Sequence, residues 1–320
     1  MLNDRNILVT GGAGFIGSNI VESILNSGVM SVRILDNLST GNKNNIQSLL
    51  DKYDNLEFMY GDITNLETCR KAVNSVDVIC HQAALGSVPR SVNDPLSSHL
   101  SNVNGFLNIL IAAKEEGIKR VVYASSSSVY GDHPVLPKVE ENTGNILSPY
   151  AATKAIDEIY AGVFTKCYDM QCIGLRYFNI FGPRQDPNGD YAAVIPKFIN
   201  LMRQGNPPII NGDGSFSRDF TYVDNAVQAN ILALTTENDK CFGEAFNIGA
   251  GGQSSLLKLF DVLKKELKVD IEPIFGPNRP GDIPHSNADI TKAKNMLGYH
   301  PNITFEEGIS NLIKVVSKNN

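Results

Sequence analysis

Through the first half of the chain, short apolar runs alternate with longer stretches of helical period. Strands are predicted at 6–10, 32–36, 56–60, 76–81, 120–125 and 172–177, and a helix over 15–26. Nearly continuous apolar runs separated by helices belong to parallel strands buried on both faces, so the pattern predicts α/β architecture with a doubly wound parallel sheet. Beyond 177 the pattern changes. Pro- and Gly-rich loops at 181–189 and 211–214 separate short elements, as expected for a smaller α/β substrate domain. The helical stretch 223–234 and the apolar run 244–248 are expected to return to the first domain, so the two domains interleave. The predicted division is 1–178 plus about 215–250 for one, and about 179–214 plus 251–320 for the other. Across 96–113, Leu100, Val103, Phe106, Leu107, Leu110 and Ile111 cover more than one helical face, which predicts burial on two sides.

Composition narrows the partners. With 320 residues, 42% of them apolar, the chain can bury one large or two modest cores. A net charge of -6 argues against nucleic acid or an anionic membrane as main partner. The first residues carry no apolar signal core and no stretch is long and apolar enough to span a bilayer, so a cytoplasmic protein is expected. Five cysteines without metal-ligand pairing read as free thiols. His81 is expected to pack at a strand end, and no metal is predicted.

The first strand runs into Gly11-Gly12-Ala13-Gly14-Phe15-Ile16-Gly17, and the second closes on Asp36. Glycines so spaced allow a tight turn, backbone approach to a pyrophosphate and close helix–sheet packing, the fingerprint of a Rossmann dinucleotide site. The following helix aims its N-terminus at the phosphates. Asp36 is placed to accept hydrogen bonds from the adenosine ribose and would repel a 2′-phosphate, so NAD is expected over NADP. Asp62, after the third strand, either meets the adenine end or caps the helix that follows.

A second constellation combines Ser126 with Tyr150 and Lys154. Tyrosine and lysine one helical turn apart share a face, with Ser148 and Pro149 as expected cap and first turn. Ser126 leaves the fifth strand at its C-terminal edge, where open α/β sheets bind ligands. Oxidising a carbinol requires a base on its oxygen. A free phenol titrates near pH 10, so working near neutrality asks for a drop of roughly three units, which a lysine ammonium and a cationic nicotinamide both favour. Tyr150 is therefore the expected base, Ser126 a bridge, and Lys154 both anchor of the nicotinamide ribose and partner of the phenol.

These residues resemble the extended short-chain dehydrogenases/reductases that act on nucleotide sugars, over nearly the whole chain. The segments 81–91, 130–134, 175–189 and 192–197 are similar to the UDP-N-acetylglucosamine 4-epimerases of surface-polysaccharide pathways. The resemblance implies C4 epimerisation of a UDP-hexose through a transient 4-keto sugar, with NAD staying bound, and a homodimer built on a four-helix contact. It also implies that Phe15, Ile16, Asn37, Asp62, Ile63, Ala83, Ala84, Asn102 and Tyr177 join the glycines and Asp36 around the cofactor. Asn179, Lys197, Asn211, Arg218, Arg279 and Asp282 would bind the UDP part, the two arginines on the pyrophosphate. Arg218 could instead pair with Asp219 at the surface, and Phe198 could stack on uracil or fill the core. Ile209 stands where relatives have an aromatic contact.

Substrate choice is expected to depend on room beside the sugar's 2-substituent. By the same resemblance, galactose-only epimerases carry tyrosine at the position of Ser286 and lysine at that of Gly86. With Ser87, Ser127, Gln185 and Ala193 lining the rest, UDP-GlcNAc and UDP-GalNAc are expected to be preferred. UDP-glucose/UDP-galactose epimerisation, or epimerisation of a UDP-(N-acetyl)uronic acid, is the alternative. A 4,6-dehydratase fits poorly, since relatives of that kind carry Asp-Glu where Ser127-Ser128 stand. An NAD-sensing protein without catalysis would be expected to have lost the Tyr/Lys pair.

Overall fold

The computed structural model describes residues 2–187, 193–277 and 284–318. Its centre is a seven-stranded parallel sheet. Six strands are β1 (Asn6–Thr10), β2 (Ser31–Asp36), β3 (Leu56–Tyr60), β4 (Val78–His81), β5 (Arg120–Ser126) and β6 (Gln171–Tyr177). The seventh is Ala245–Ile248, which pairs with β6. From that edge the order runs seventh, β6, β5, β4, β1, β2, β3. The sheet order reverses between β1 and β4, the place where a crevice opens at the strands' C-terminal ends.

Strand alternation builds the two layers. Ile7, Val9, Ile34, Cys80, Val122 and Leu175 face one buried cluster, while Leu8, Leu35, Ile79, Val121 and Cys172 face the other. The first is covered by α1 (Phe15–Asn26) and by the helix Val223–Thr235, and the second by Gly105–Glu116 and part of Pro149–Tyr168. The fourth strand starts at Val78 rather than 76, because Asp77 is spent on β1: its backbone N–H donates to the Asn6 carbonyl and its carboxylate accepts the Asn6 N–H at 2.7 Å.

The expected helix over 96–113 is interrupted. Pro95–His99 passes through a π turn, Leu100–Asn104, into Gly105–Glu116. Phe106, Ile109 and Leu110 face the core, whereas Leu96 and Leu100 remain exposed. After Tyr177, short strands form small two- and three-stranded sheets, with Ser217–Arg218 held between Ser254–Ser255 and His285–Ser286. No helix among the described residues is long and apolar enough to cross a membrane.

Candidate active site

A cleft of about 880 Å³ opens over the C-terminal ends of β1, β2, β4 and β5. The glycine loop forms its back wall. Gly14 caps α1 with no side-chain acceptor, which leaves the first-turn N–H groups for a ligand. The tightness of the turn requires glycine. A Cβ on Gly17 would lie 2.2 Å from the Gly11 carbonyl oxygen, and Gly11 has φ +69° with the Ala83 backbone against it.

Asp36 ends β2 with one oxygen accepting from Ala13 N–H at 3.0 Å and the other from Leu38 N–H at 2.8 Å. Burial pushes its carboxyl up, and these two backbone donors pull it back. Lone pairs remain on both oxygens for a ribose diol. The cradle therefore fits NAD: uncapped N–H groups for the pyrophosphate and a carboxylate for the ribose.

Opposite stands the helix Pro149–Tyr168. It begins as its sequence suggests, with Ser148 accepting the Ala151 N–H at 3.1 Å and proline in the first turn. Ser91 fixes the start laterally by accepting the Tyr150 N–H at 3.0 Å. Tyr150 and Lys154 both line the cleft. Ser126 ends β5 and accepts the Ser128 N–H at 3.2 Å, capping the turn Ser127–Tyr130. Behind it, Ser125 donates to Glu158 at 2.6 Å, and Arg176 grips Glu158 through two 2.8 Å bonds. This partly buried network ties β5 and β6 to the helix carrying Tyr150.

Of the residues expected around a cofactor, Gly11, Gly14, Phe15, Ile16, Gly17, Asp36, Asn37, Ile63, Ala83, Ala84 and Tyr177 line the cleft with Tyr150 and Lys154. Two support it from behind. Asp62 accepts from Asn37 Nδ2 and from Thr64 N–H, each at 2.8 Å. The helix cap is Asn65, not Asp62, because only Asn65 reaches the Thr68 N–H. Asn102 is buried with its amide on the Leu85 backbone and on Thr153 Oγ1, so it shapes the cleft wall through Leu85.

Of the residues expected around a substrate, Gly86, Ser87, Gln185 and Ala193 line the cleft. Ser286 pairs in register with Arg218, and the Arg218 guanidinium donates to the carbonyls of Ser217 and Pro284. Asp219 is turned inward, where its carboxylate takes the N–H groups of Ala250, Gly251 and Ala288. Asn179 and Lys197 are exposed and Asn211 is half-buried. Phe198 is packed in the core cluster, as in the second of its two readings. Arg279 and Asp282 lie outside the described residues.

The cleft also holds residues that the sequence patterns did not single out, among them Gln82, Arg90 and Arg184. Gln82 accepts from Tyr177 OH at 3.0 Å and donates to Asn230 at 3.1 Å, and Arg184 pairs with Glu22 of α1. Arg184 lies in the loop predicted at 181–189, but these pairings cross more than ninety residues. His81 is buried, as expected, with Nδ1 2.8 Å from Thr10 Oγ1 and its ring against Phe106. Burial, helped by the nearby Lys154 charge, pushes its imidazole down to about 3.

Comparison with known proteins gives the same picture. Residues 7–249 match the model of the NAD dependent epimerase/dehydratase family. A UDP-glucose 4-epimerase of Mycolicibacterium smegmatis is 38% identical over 309 residues, covering 96% of this chain and 97% of the relative. Two solved structures superpose closely. The UDP-N-acetylglucosamine 4-epimerase of Methanobrevibacter ruminantium, in complex with UDP-N-acetylmuramic acid, has a TM-score of 0.93 at 39% identity, covering 99% of this chain and 100% of that one. The UDP-glucose 4-epimerase of Thermotoga maritima, with UDP-glucose, has 0.91 at 36% identity, covering 98% and 99%. The chain belongs to the NAD-dependent epimerase/dehydratase family, and its cofactor is NAD.

Proposed function

We propose that this NAD-dependent UDP-sugar 4-epimerase takes UDP-N-acetylglucosamine and UDP-N-acetylgalactosamine in preference to the unacetylated pair. The observation carrying the preference is the room at Gly86, where an added Cβ would meet nothing within 4 Å. Ser87, Gln185 and Ala193 continue that wall with small or polar groups. Ser127 follows the β5 edge, and Ser286 adds a short side chain beside Arg218. A hydroxyl can hydrogen-bond an acetamido group, which tyrosine or lysine at these places would crowd.

In this reading Tyr150 takes the proton from the C4 hydroxyl, Ser126 donates to the same oxygen, and Lys154 holds the nicotinamide ribose. When bound, NAD would supply hydride acceptance from C4 and, once reduced to NADH, hydride donation back to it. Asn179, Lys197, Asn211 and Arg218, with Arg279 and Asp282, anchor the UDP while the sugar turns. Replacing Ser286 with tyrosine tests the size argument. The acetylated pair should lose far more kcat/KM than the plain pair, and equal losses would contradict it.

We also infer a homodimer. Leu96 (66% exposed) and Ile159 (66%), with Leu100 and Val163, leave an apolar face spread over the two helical segments 95–116 and 149–168. A two-fold partner would cover the same residues on each copy. Light scattering should give twice the monomer mass, and Ile159→Arg should halve it.

A further inference from the structure

The helix bearing Tyr150 and Lys154 carries a third polar residue on the same side. Positions i, i+4 and i+7 stack along one helical face, and Asp157 occupies the last of them. Lys154 Nζ lies 3.1 Å from Asp157 Oδ2, with side-chain exposures of 2% and 1%. The other carboxylate oxygen, Asp157 Oδ1, is buried with no hydrogen-bond partner among the described residues.

We propose that Asp157 is a positioning residue for the reaction: its carboxylate holds the Lys154 ammonium in place beneath the cleft and offsets that ammonium's field at Tyr150. The inference rests on the reading of Tyr150 as base and Lys154 as its partner.

Stability does not explain such a pair. A buried ion pair often gains nothing over apolar packing of the same volume, and a carboxylate oxygen without a partner carries a desolvation cost. Among the described residues the surrounding charges leave Lys154 as its compensating partner. Glu158, the next residue, is taken up by Arg176 and Ser125. His81 from β4 is neutral near pH 7, and Tyr123 from β5 has its phenol pushed up by burial and by the Glu158 and Asp157 charges. Burial pushes the Asp157 carboxyl up, and the Lys154 ammonium 3.1 Å away pulls it back toward the charged form.

Geometry makes the arrangement productive. An ammonium has three donors, so one bond to Asp157 leaves two for the hydroxyls of a ribose. The carboxylate on the far side of that ammonium cancels part of its field at the phenol. With the carboxylate behind it, the phenol can serve both directions of a reversible reaction.

The test is the acid limb of the kcat/KM profile in Asp157→Asn. Asp157 stands seven residues along the helix from Tyr150, about 10 Å. A unit charge at that separation moves a titration by about one unit at an effective dielectric near 20. The limb should therefore shift down by about one pH unit, and Asp157→Glu should restore the original limb. A second readout needs no turnover: in protein freed of NAD, the phenolate absorbance lost on adding Tyr150→Phe should titrate about one unit lower in the Asp157→Asn background. If the asparagine variant does not fold, Asp157→Ser carries the same expectation. An unmoved limb with lower kcat, or a limb moved upward, would overturn the proposal. Tyr150→Phe with near-wild-type turnover would instead defeat the underlying reading.

Discussion

Replacing Gly17 with alanine adds one methyl group where the structure leaves none to spare. The new Cβ would sit 2.2 Å from the Gly11 carbonyl oxygen, 2.9 Å from its carbon and 2.9 Å from Gly12 Cα. Ordinary contact needs about 3.4 Å or more, so the turn must retreat from α1 by about 1 Å. Overpacking of this kind costs about 1–3 kcal/mol. In the free protein the loop can relieve it by moving outward, but a moved loop no longer presents its N–H groups to the pyrophosphate. The cost therefore falls on NAD affinity, weakening it about 5- to 160-fold. At an NAD concentration 100 times the wild-type Kd, NAD stabilises the wild type by about 2.7 kcal/mol and the variant by only about 0.3–1.8 kcal/mol. Thermal unfolding with and without NAD reads the difference directly. If NAD raises the Tm of Gly17→Ala as much as that of the wild type, the glycine loop is not the pyrophosphate cradle.

Other substitutions probe other parts of the account. Tyr150→Phe should keep NAD binding and lose kcat by at least 10²-fold, the low end for a general base, as measured by coupled product assay. Gly86→Lys should fill the open wall and reduce turnover of the acetylated pair more than that of the plain pair. His81 is held neutral in the folded state, with its imidazole pushed down to about 3, while in the unfolded chain it protonates near pH 6.5. Its stabilising contribution is thus present above that pH and is lost at about 1.4 kcal/mol per unit as pH falls toward 3. Asp157 and Asp219, pushed up to about 6, act in the opposite sense below that pH, so the single-residue comparison is the informative one. Between pH 7 and pH 5 the stability of His81→Gln relative to wild type should improve by about 2 kcal/mol in urea unfolding; a constant offset would contradict this.

Much of the fold was legible because parallel strands buried on both faces write themselves as apolar runs. β1 and β3 fall where the pattern places them, and so does α1. The helix Pro149–Tyr168 was marked by its own cap and proline, which is why the Tyr150–Lys154 pair could be placed. What escaped was set by tertiary pairing. The π turn at Leu100–Asn104 has no local signature in periodicity. Asn65 took the cap from Asp62 because Asp62 accepts from Asn37, far away in sequence. Asn102 moved behind the wall because both ends of its amide bond the Leu85 backbone. Asp157 is the next position on the Tyr150–Lys154 face of the helix, but its burial with Lys154 depends on how the helix meets the sheet.

The most direct test of the account is to incubate the purified protein with UDP-N-acetylglucosamine carrying deuterium at C4 and to follow the sugar by NMR. The account predicts UDP-N-acetylgalactosamine with the deuterium still on C4, because the same hydride that leaves that carbon is returned to it. No inversion at C4, or an inverted product carrying solvent hydrogen there, would contradict it.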